Sequence, residues 1–404
     1  MTTAAAGDLY SPDTYVRSMP HDAFAMLRRE SPVLWQDEPA GPGYWALLSY
    51  DDVVTVSSDN TLFSSARGGT NLEDMPPDAL AMIRTLMINM DPPQHTKYRR
   101  LVSAGFTPKM VRQLEPGVRE TTRRIVGNVA ARGSCDFVTE IAAELPLAVI
   151  ADLIGVPEED HHRLFEWSNR LIGFDDPEFH TSPEDGQVAA TEMFMYAHAL
   201  ASERKLHPKT DLVSVLMGAE VDGERLAEAD FDGFFILLSV AGNETTRNLI
   251  SGAMLALIEH PQQRARLIAD PALMPVAVEE FLRWVSPLIY FRRTLQHDAV
   301  VGGQQMREGD KVAMYYPSAN RDERAFERAD AFDVGRSPNA HLAFGGGGPH
   351  FCLGASLARL EIRCMFEELL ARLPDIELAG PVQRLRSNFI NGIKHMPVQF
   401  APRS

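Results

Sequence analysis

The sequence predicts a mainly α-helical protein with small β-sheets. Three observations carry that expectation. Beyond Asp91 apolar residues recur with the helical period over most of the chain. From Tyr290 to Tyr316 the pattern changes to short strand-like pieces separated by Gly302-Gly303 and Glu308-Gly309-Asp310 turns. No Gly/Ser linker, repeat or low-complexity tract divides the 404 residues. One large domain over residues 1–404 is expected, its β-containing parts at about 30–90 and 290–316.

The elements follow in order. Residues 20–30 read as a short helix, 43–49 as a strand, and 76–87 as a Met-rich helix or loop. Helices are expected over 93–104, 116–132, 141–153, 158–171 and 187–205, where apolar positions fall three and four apart. A long helix spans about 227–259 and stops before Pro261; another spans 273–285 and stops before Pro287, since proline cannot donate to the helical ladder. Residues 355–373 form the last helix and 397–402 a terminal strand.

Composition narrows the function. Hydrophobic residues make up 45% and charged residues 23%, enough for a large core. Lys+Arg is 39 against Asp+Glu 55, a net charge of −16, which argues against nucleic acid, whose binding rests on neutralising phosphates. Three cysteines are too few for a disulfide framework and suit a reducing compartment, so a cytoplasmic protein is expected. The first fifteen residues lack the basic and apolar parts of a secretory signal. The most apolar stretch, 233–258, carries Glu244 and Arg247 near its middle; it reads as a buried helix, and no membrane anchor is expected.

Four segments could carry chemistry. The most unusual is His341-Leu-Ala-Phe-Gly-Gly-Gly-Gly-Pro-His-Phe-Cys-Leu-Gly-Ala355. Four glycines, Gly346 among them, let backbone approach something flat or bulky, because no Cβ intervenes. Cys352 follows at a helix start, where free N–H groups and the helix dipole favour a thiolate. It could be a nucleophile, a metal ligand or a core cysteine. The G-x-G-x-x-G and Gly-Lys-Ser/Thr signatures of nucleotide cradles are missing. In Asp91-Pro-Pro-Gln-His-Thr-Lys-Tyr-Arg99, His95 and Arg99 fall at i and i+4 on one helix face and suit an anion, or merely solvent. Glu280 and Arg283, at i and i+3, can pair among apolar neighbours, with Arg336 as a third partner. Within the long helix, Ala241-Gly-Asn-Glu-Thr245 interrupts an apolar run. Thr245 can bond back to the Ala241 carbonyl, and Glu244 beside it could pass a proton into a buried site.

Together and in this order, these segments resemble the cytochrome P450 family, the haem-thiolate monooxygenases, over nearly the whole chain. The resemblance implies a single large triangular fold enclosing haem b, iron protoporphyrin IX, between the long central helix and the cysteine loop. It implies that Cys352 is the iron ligand and that His95, Arg99, Arg293 and His350 hold the haem propionates. Ala241, Gly242, Glu244 and Thr245 resemble the oxygen-activation groove, and Glu280, Arg283 and Arg336 the structural Glu-Arg-Arg core. One departure stands out: Phe344 lies eight residues before Cys352, where the family pattern has seven. A flat macrocycle with two carboxylates needs glycine backbone, a notched helix and several cationic donors, and this chain supplies each. Thiolate ligation pushes electron density onto iron and favours O–O cleavage.

The implied reaction uses O2, two electrons and two protons to convert C–H to C–OH. Residues expected at the substrate are Met82, Leu86, Met87, Phe174, Phe235, Leu238, Leu288, Ile289 and Phe389, nearly all apolar. An apolar small molecule is expected: a sterol side chain, a terpenoid or a branched fatty chain. Electrons would come from a ferredoxin and its NAD(P)H-dependent reductase, docking on a basic face of Lys97, Arg100, Lys109, Arg112, Arg359 and Arg363. The alternatives are a haem-thiolate ligand sensor, a peroxygenase without ferredoxin-driven turnover, and a hydrolase using Cys352 as nucleophile.

Overall fold

A computed structural model describes residues 7–172, 175–179, 185–209, 211–221 and 223–403; Phe174 lies outside them. Fourteen helices among these residues organise the chain. They are α1 (His21–Glu30), α2 (Tyr50–Ser58), α3 (Pro77–Ile83), α4 (Gln94–Val102), α5 (Pro108–Ala130), α6 (Glu144–Ile154), α7 (His161–Ile172), α8 (Asp185–Leu206) and α9 (Leu212–Gly218), followed by α10 (Glu228–Glu259), α11 (Pro261–Ala269), α12 (Met274–Val285), α13 (Tyr316–Ala319) and α14 (Ala355–Arg372).

Most boundaries fall where the local chemistry puts them. The α10 helix runs 32 residues and ends at His260, with Pro261 opening α11. The α12 helix closes on Ser286 at φ 47°, directly before Pro287. Two expectations need correction. The α5 helix starts eight residues earlier than expected, because Thr107 caps it by accepting from the Met110 amide (3.3 Å) and Pro108 suits the first turn. Pro116, expected to open that helix, sits inside it. The α2 helix was not anticipated, since its Val-Val-Thr-Val run reads as strand; Ser49 caps it through the Asp52 amide (3.2 Å).

The largest sheet has five strands in the order Val33–Gln36, Tyr44–Leu47, Lys311–Tyr315, Tyr290–Leu295 and Phe63–Ser64. Val312 lies opposite Arg293 and Met314 opposite Phe291. Successive side chains on a strand point to opposite faces. Phe291 and Arg293 therefore share one face, and Tyr290 and Arg292 the other. Tyr290 packs with Tyr44 and Tyr315 in a separate apolar cluster, while Arg292 pairs with Asp74 (2.8 Å). The α10 helix crosses the largest core, packed by α6, α7, α8, α12 and α14. Among the described residues no helix is long and apolar enough to cross a membrane.

Candidate active site

The α10 helix, α14 and the glycine loop bound a cavity of about 1440 Å³ of atom-free space, part of it open to solvent. Cys352 lines it from below. Burial raises the thiol pKa, opposed by the amides of Gly354 and Ala355 and the positive charges of Arg99 and Arg359. A bound metal would displace that proton. Above, Leu238, Ala241 and Thr245 line the cavity at i, i+3 and i+7 on α10. The Thr245 hydroxyl donates to the Ala241 carbonyl at 2.7 Å. Gly242 leaves room for a neighbouring helix: a Cβ there would meet Ile150 of α6 at 2.5 Å.

Four donors gather at one side. His95, from α4, and His350, from the loop, lie against each other with ring centroids 4.1 Å apart and planes tilted by 37°. Burial holds both neutral, with neighbouring arginines adding to the effect, at about 4 for His95 and about 2 for His350. His350 Nε2 lies 3.2 Å from Ser65 Oγ. Arg99 donates to the Phe351 carbonyl (2.6 Å) and Arg293 to the Arg292 carbonyl (2.9 Å). His95 Nδ1 is buried with no partner among the described residues. Arg293 is buried with no carboxylate bonded to it among them. Two guanidinium groups and two imidazoles thus converge, and the nearby Asp91 carboxylate accepts instead from Ser64 Oγ and the Ser65 amide. That donor set fits the carboxylates of a porphyrin.

The glycine run works differently from expectation. Gly345 lines the cavity, but Gly346 faces α2: a Cβ there would sit 3.0–3.2 Å from Ser57, Val54 and Val53, and its amide donates to Ser57 Oγ (3.1 Å). The bulky object beside Gly346 is therefore helix α2, not the cavity's contents. Cys352 N donates to Phe344 O at 2.9 Å. Arg359 stacks on the Phe344 ring at 4.5 Å and grips Glu279 at 2.7 and 2.8 Å.

Behind the loop, Glu280 is fully buried and accepts from Arg283 twice (2.8 Å each), Arg336 (3.1 Å), Asn339 (3.2 Å) and the Asp333 amide (2.9 Å). Arg283 and Arg336 spend their remaining donors on the carbonyls of Asn320, Ala329, Ala331, Glu327 and Arg328. The network ties α12 to the 320–339 segment that leads into the cysteine loop.

Several expected residues lie elsewhere. Met87, Leu238 and Leu288 line the cavity. Met82 does not; it is 69% exposed on α3, whose apolar pattern is not inward-facing. Leu86 rests on α10 at Gly233, where a Cβ would meet its methyl group at 3.5 Å. Phe235 packs against Phe231 and Tyr196, because one helical step turns it about 100° from Phe234, which does line the cavity. Ile289 belongs to the Tyr290 cluster, and Phe389 packs edge-on to Tyr290 at 5.4 Å. Glu244 does not line the cavity either: it is buried beside α10's opposite face and paired with Arg247, and burial raises its pKa. Phe234 could have been found by stepping back four residues from Leu238. Phe106, Phe291 and Tyr316 also line the wall. So does Glu361, whose buried carboxyl no motif flagged.

The expected basic face is also tempered. Arg359 pairs with Glu279, and Arg363 with Glu115 (3.0 Å), while Lys109 and Arg112 are exposed.

Comparison with known proteins identifies the class. The Cytochrome P450 family pattern matches residues 187–374. A methyl-branched lipid omega-hydroxylase of Mycobacterium tuberculosis (strain H37Rv) is 46% identical, covering 98% of this chain and 93% of the relative. A steroid C26-monooxygenase of Rhodococcus jostii is 42% identical, covering 98% and 85%. The solved structure of a Mycobacterium marinum cytochrome P450 in complex with pseudoionone superposes with a TM-score of 0.91 at 40% identity, covering 99% of this chain and 100% of that one.

The fold and the cysteine beneath a notched helix are those of a haem-thiolate oxidoreductase. The chain belongs to the cytochrome P450 family and is a monooxygenase.

Proposed function

We propose that this enzyme hydroxylates the end of an apolar chain, on a methyl-branched lipid, a sterol side chain or a terpenoid, using haem b and electrons from a ferredoxin reduced by an NAD(P)H-dependent reductase. The carrying observation is the cavity wall. Met87, Ile88, Phe234, Leu238, Leu288 and Phe291 are apolar, and the cationic Arg99 and Arg293 lie with the neutral His95 and His350 on the side suited to propionates. A charge at the reacting end of a substrate would lose solvation against this apolar wall without gaining a partner. The relatives named for branched lipids and steroids support the same class.

Bound through Cys352, haem b would supply oxygen activation, with one oxygen entering C–H and the other leaving as water. His95, Arg99, Arg293 and His350 would hold its carboxylates. Ala241, exposed to the cavity, would border it. Thr245 presents its hydroxyl at the cavity wall and, turning from the Ala241 carbonyl, can offer a proton inward. Glu244 would restore that proton through intervening water. Lys109 and Arg112, with Lys97, Arg100, Arg359 and Arg363 nearby in sequence or space, would form the docking face for an acidic ferredoxin, so salt should weaken docking. Three free cysteines suit a reducing cytoplasm.

The deciding experiment begins with the carbon monoxide difference spectrum of the reduced protein. It should show the thiolate-ligated signature, and Cys352→Ser should abolish it. Titration with a methyl-branched fatty acid, a sterol and an acyclic terpenoid should shift the spin state. Turnover with a ferredoxin, its reductase and NAD(P)H should give terminal alcohols by mass spectrometry. Hydroxylation confined to rings or mid-chain carbons, or a thiolate signature that survives in Cys352→Ser, would overturn the proposal.

A further inference from the structure

Two adjacent carboxylates on α12 serve different partners. Glu280 is fully buried and holds Arg283 and Arg336. Glu279, one helical step of about 100° away, turns toward α14 and the cysteine loop. It accepts from Arg359 Nε at 2.7 Å and from Arg359 Nη2 at 2.8 Å, and its Oε2 lies 3.1 Å from His341 Nε2. Both members of the pair line a groove of about 650 Å³ of atom-free space between α5, α12 and α14, partly open to solvent. Both are also partly buried, so solvent screens their charges only in part.

The pair stands next to the proposed iron ligand. The Arg359 guanidinium lies 4.5 Å from the centre of the Phe344 ring, against which His341 packs at 5.9 Å. Phe344 in turn accepts the Cys352 amide through its carbonyl. Arg359 is one turn along α14 from Ala355, whose amide, with that of Gly354, bonds to the sulfur. The positive side chains that favour the charged sulfur are Arg99 and Arg359. Arg99 lies among the groups suited to the propionates and donates to the Phe351 carbonyl. Arg359 is the cation left to the sulfur side, and Glu279 is the carboxylate that faces it. Positive charge beside a ligating thiolate favours the more electron-rich state of the metal, and a carboxylate bonded to that charge offsets part of the effect. Two parallel bonds to one guanidinium also fix its plane and its distance.

We infer that Glu279 is a positioning residue for electron entry: it clamps Arg359 against Phe344, offsets part of its charge, and so sets the potential at which the Cys352-ligated iron takes its first electron. The step is the one-electron reduction of ferric to ferrous haem by the ferredoxin. No bond forms or breaks in it, and no proton or atom is transferred. This inference rests on the reading of Cys352 as the iron ligand.

The test is a redox titration of the haem-loaded, substrate-free enzyme, followed by its absorbance. In Glu279→Gln the amide oxygen still accepts from Arg359, but the negative charge is gone. The ferrous-to-ferric ratio at a fixed poise should rise several-fold, a tenfold change being about 59 mV for a one-electron couple. Arg359→Gln should lower the ratio several-fold. Arg359→Lys, which keeps the charge, should lie nearer wild type than Arg359→Gln does. The double variant, which removes a neutral pair, should return to within about twofold of wild type, and with Glu279→Gln it carries the test if Arg359→Gln does not retain haem. A pair that merely braces the loop would instead shift both single variants in the same direction. Shifts of one sign, or no shift in Glu279→Gln, with the thiolate signature of the carbon monoxide complex intact, overturn the inference alone. A wild-type enzyme lacking that signature overturns the reading of Cys352 instead.

Discussion

The amide of Cys352 donates to the carbonyl of Phe344 at 2.9 Å, closing a loop that contains four consecutive glycines. This bond keeps Phe344 at the cavity edge beneath Arg359 despite the additional residue between phenylalanine and cysteine. The added length is taken up by glycine conformations. Gly345, Gly347 and Gly348 have φ of +96°, +95° and +73°. The loop swings against α2 before returning to the sulfur.

Gly348 should therefore be the least replaceable of the four. A Cβ there would lie 2.5 Å from the Ser57 carbonyl oxygen, which is backbone and cannot step aside, and φ is already left-handed. Gly348→Ala should cost on the order of 1–3 kcal/mol and loosen haem retention. Gly347→Ala meets nothing within 4 Å and should cost only the conformational penalty, about 1–2 kcal/mol. Denaturant unfolding and Soret absorbance after gel filtration distinguish them.

Phe234 and Phe235 should separate binding from stability. Phe234 lines the cavity, so Phe234→Ala should weaken lipid binding about tenfold, on the order of 1–3 kcal/mol, in spin-state titrations. Phe235 is buried against Phe231 and Tyr196. Its truncation should cost roughly 3–5 kcal/mol of stability and leave the dissociation constant nearly unchanged. The reverse assignment would show the cavity wall to be misplaced by one residue.

Glu280 should be intolerant of neutralisation. It is the carboxylate that compensates two buried guanidinium groups, those of Arg283 and Arg336. Glu280→Gln leaves these charges facing a neutral amide, and breaking a buried pair in this way costs roughly 3–5 kcal/mol. Thermal unfolding and the yield of haem-loaded protein read the loss directly.

Glu279 should contribute stability that acid removes. Burial pushes its pKa up, but hydrogen bonds from Arg359 and His341 outweigh burial and hold it at about 2, below its ordinary 4.5. A carboxylate depressed in the folded state stabilises above its unfolded pKa and loses that contribution as pH falls toward the folded one. The advantage of wild type over Glu279→Gln should thus be full at pH 7, about 1–2 kcal/mol after solvent screening, and should shrink below pH 4.5 toward about 2. Denaturant midpoints for both proteins across that range provide the measurement.

Much of the fold was legible because its signals are local. The long α10 was marked by apolar periodicity and a terminating proline, and α14 by its place after Gly354. The Glu280–Arg283 pair and the Thr245–Ala241 bond follow from helical spacing alone. The α2 helix was not legible, because strand-favouring valines were overridden by the Ser49 cap and by packing against the glycine loop.

The sequence by itself determined which residue types the candidate site draws on: a cysteine at a helix start, dispersed histidines and arginines, and a polar break in an apolar helix. Only the tertiary structure decided which way they face. Phe234 rather than Phe235, Gly345 rather than Gly346, and the turning of Glu244 toward Arg247 all depend on the rotation of an element against its neighbours. One residue changes a helical side chain's direction by about 100° and reverses a strand's, so residue type survives small errors of register that orientation does not.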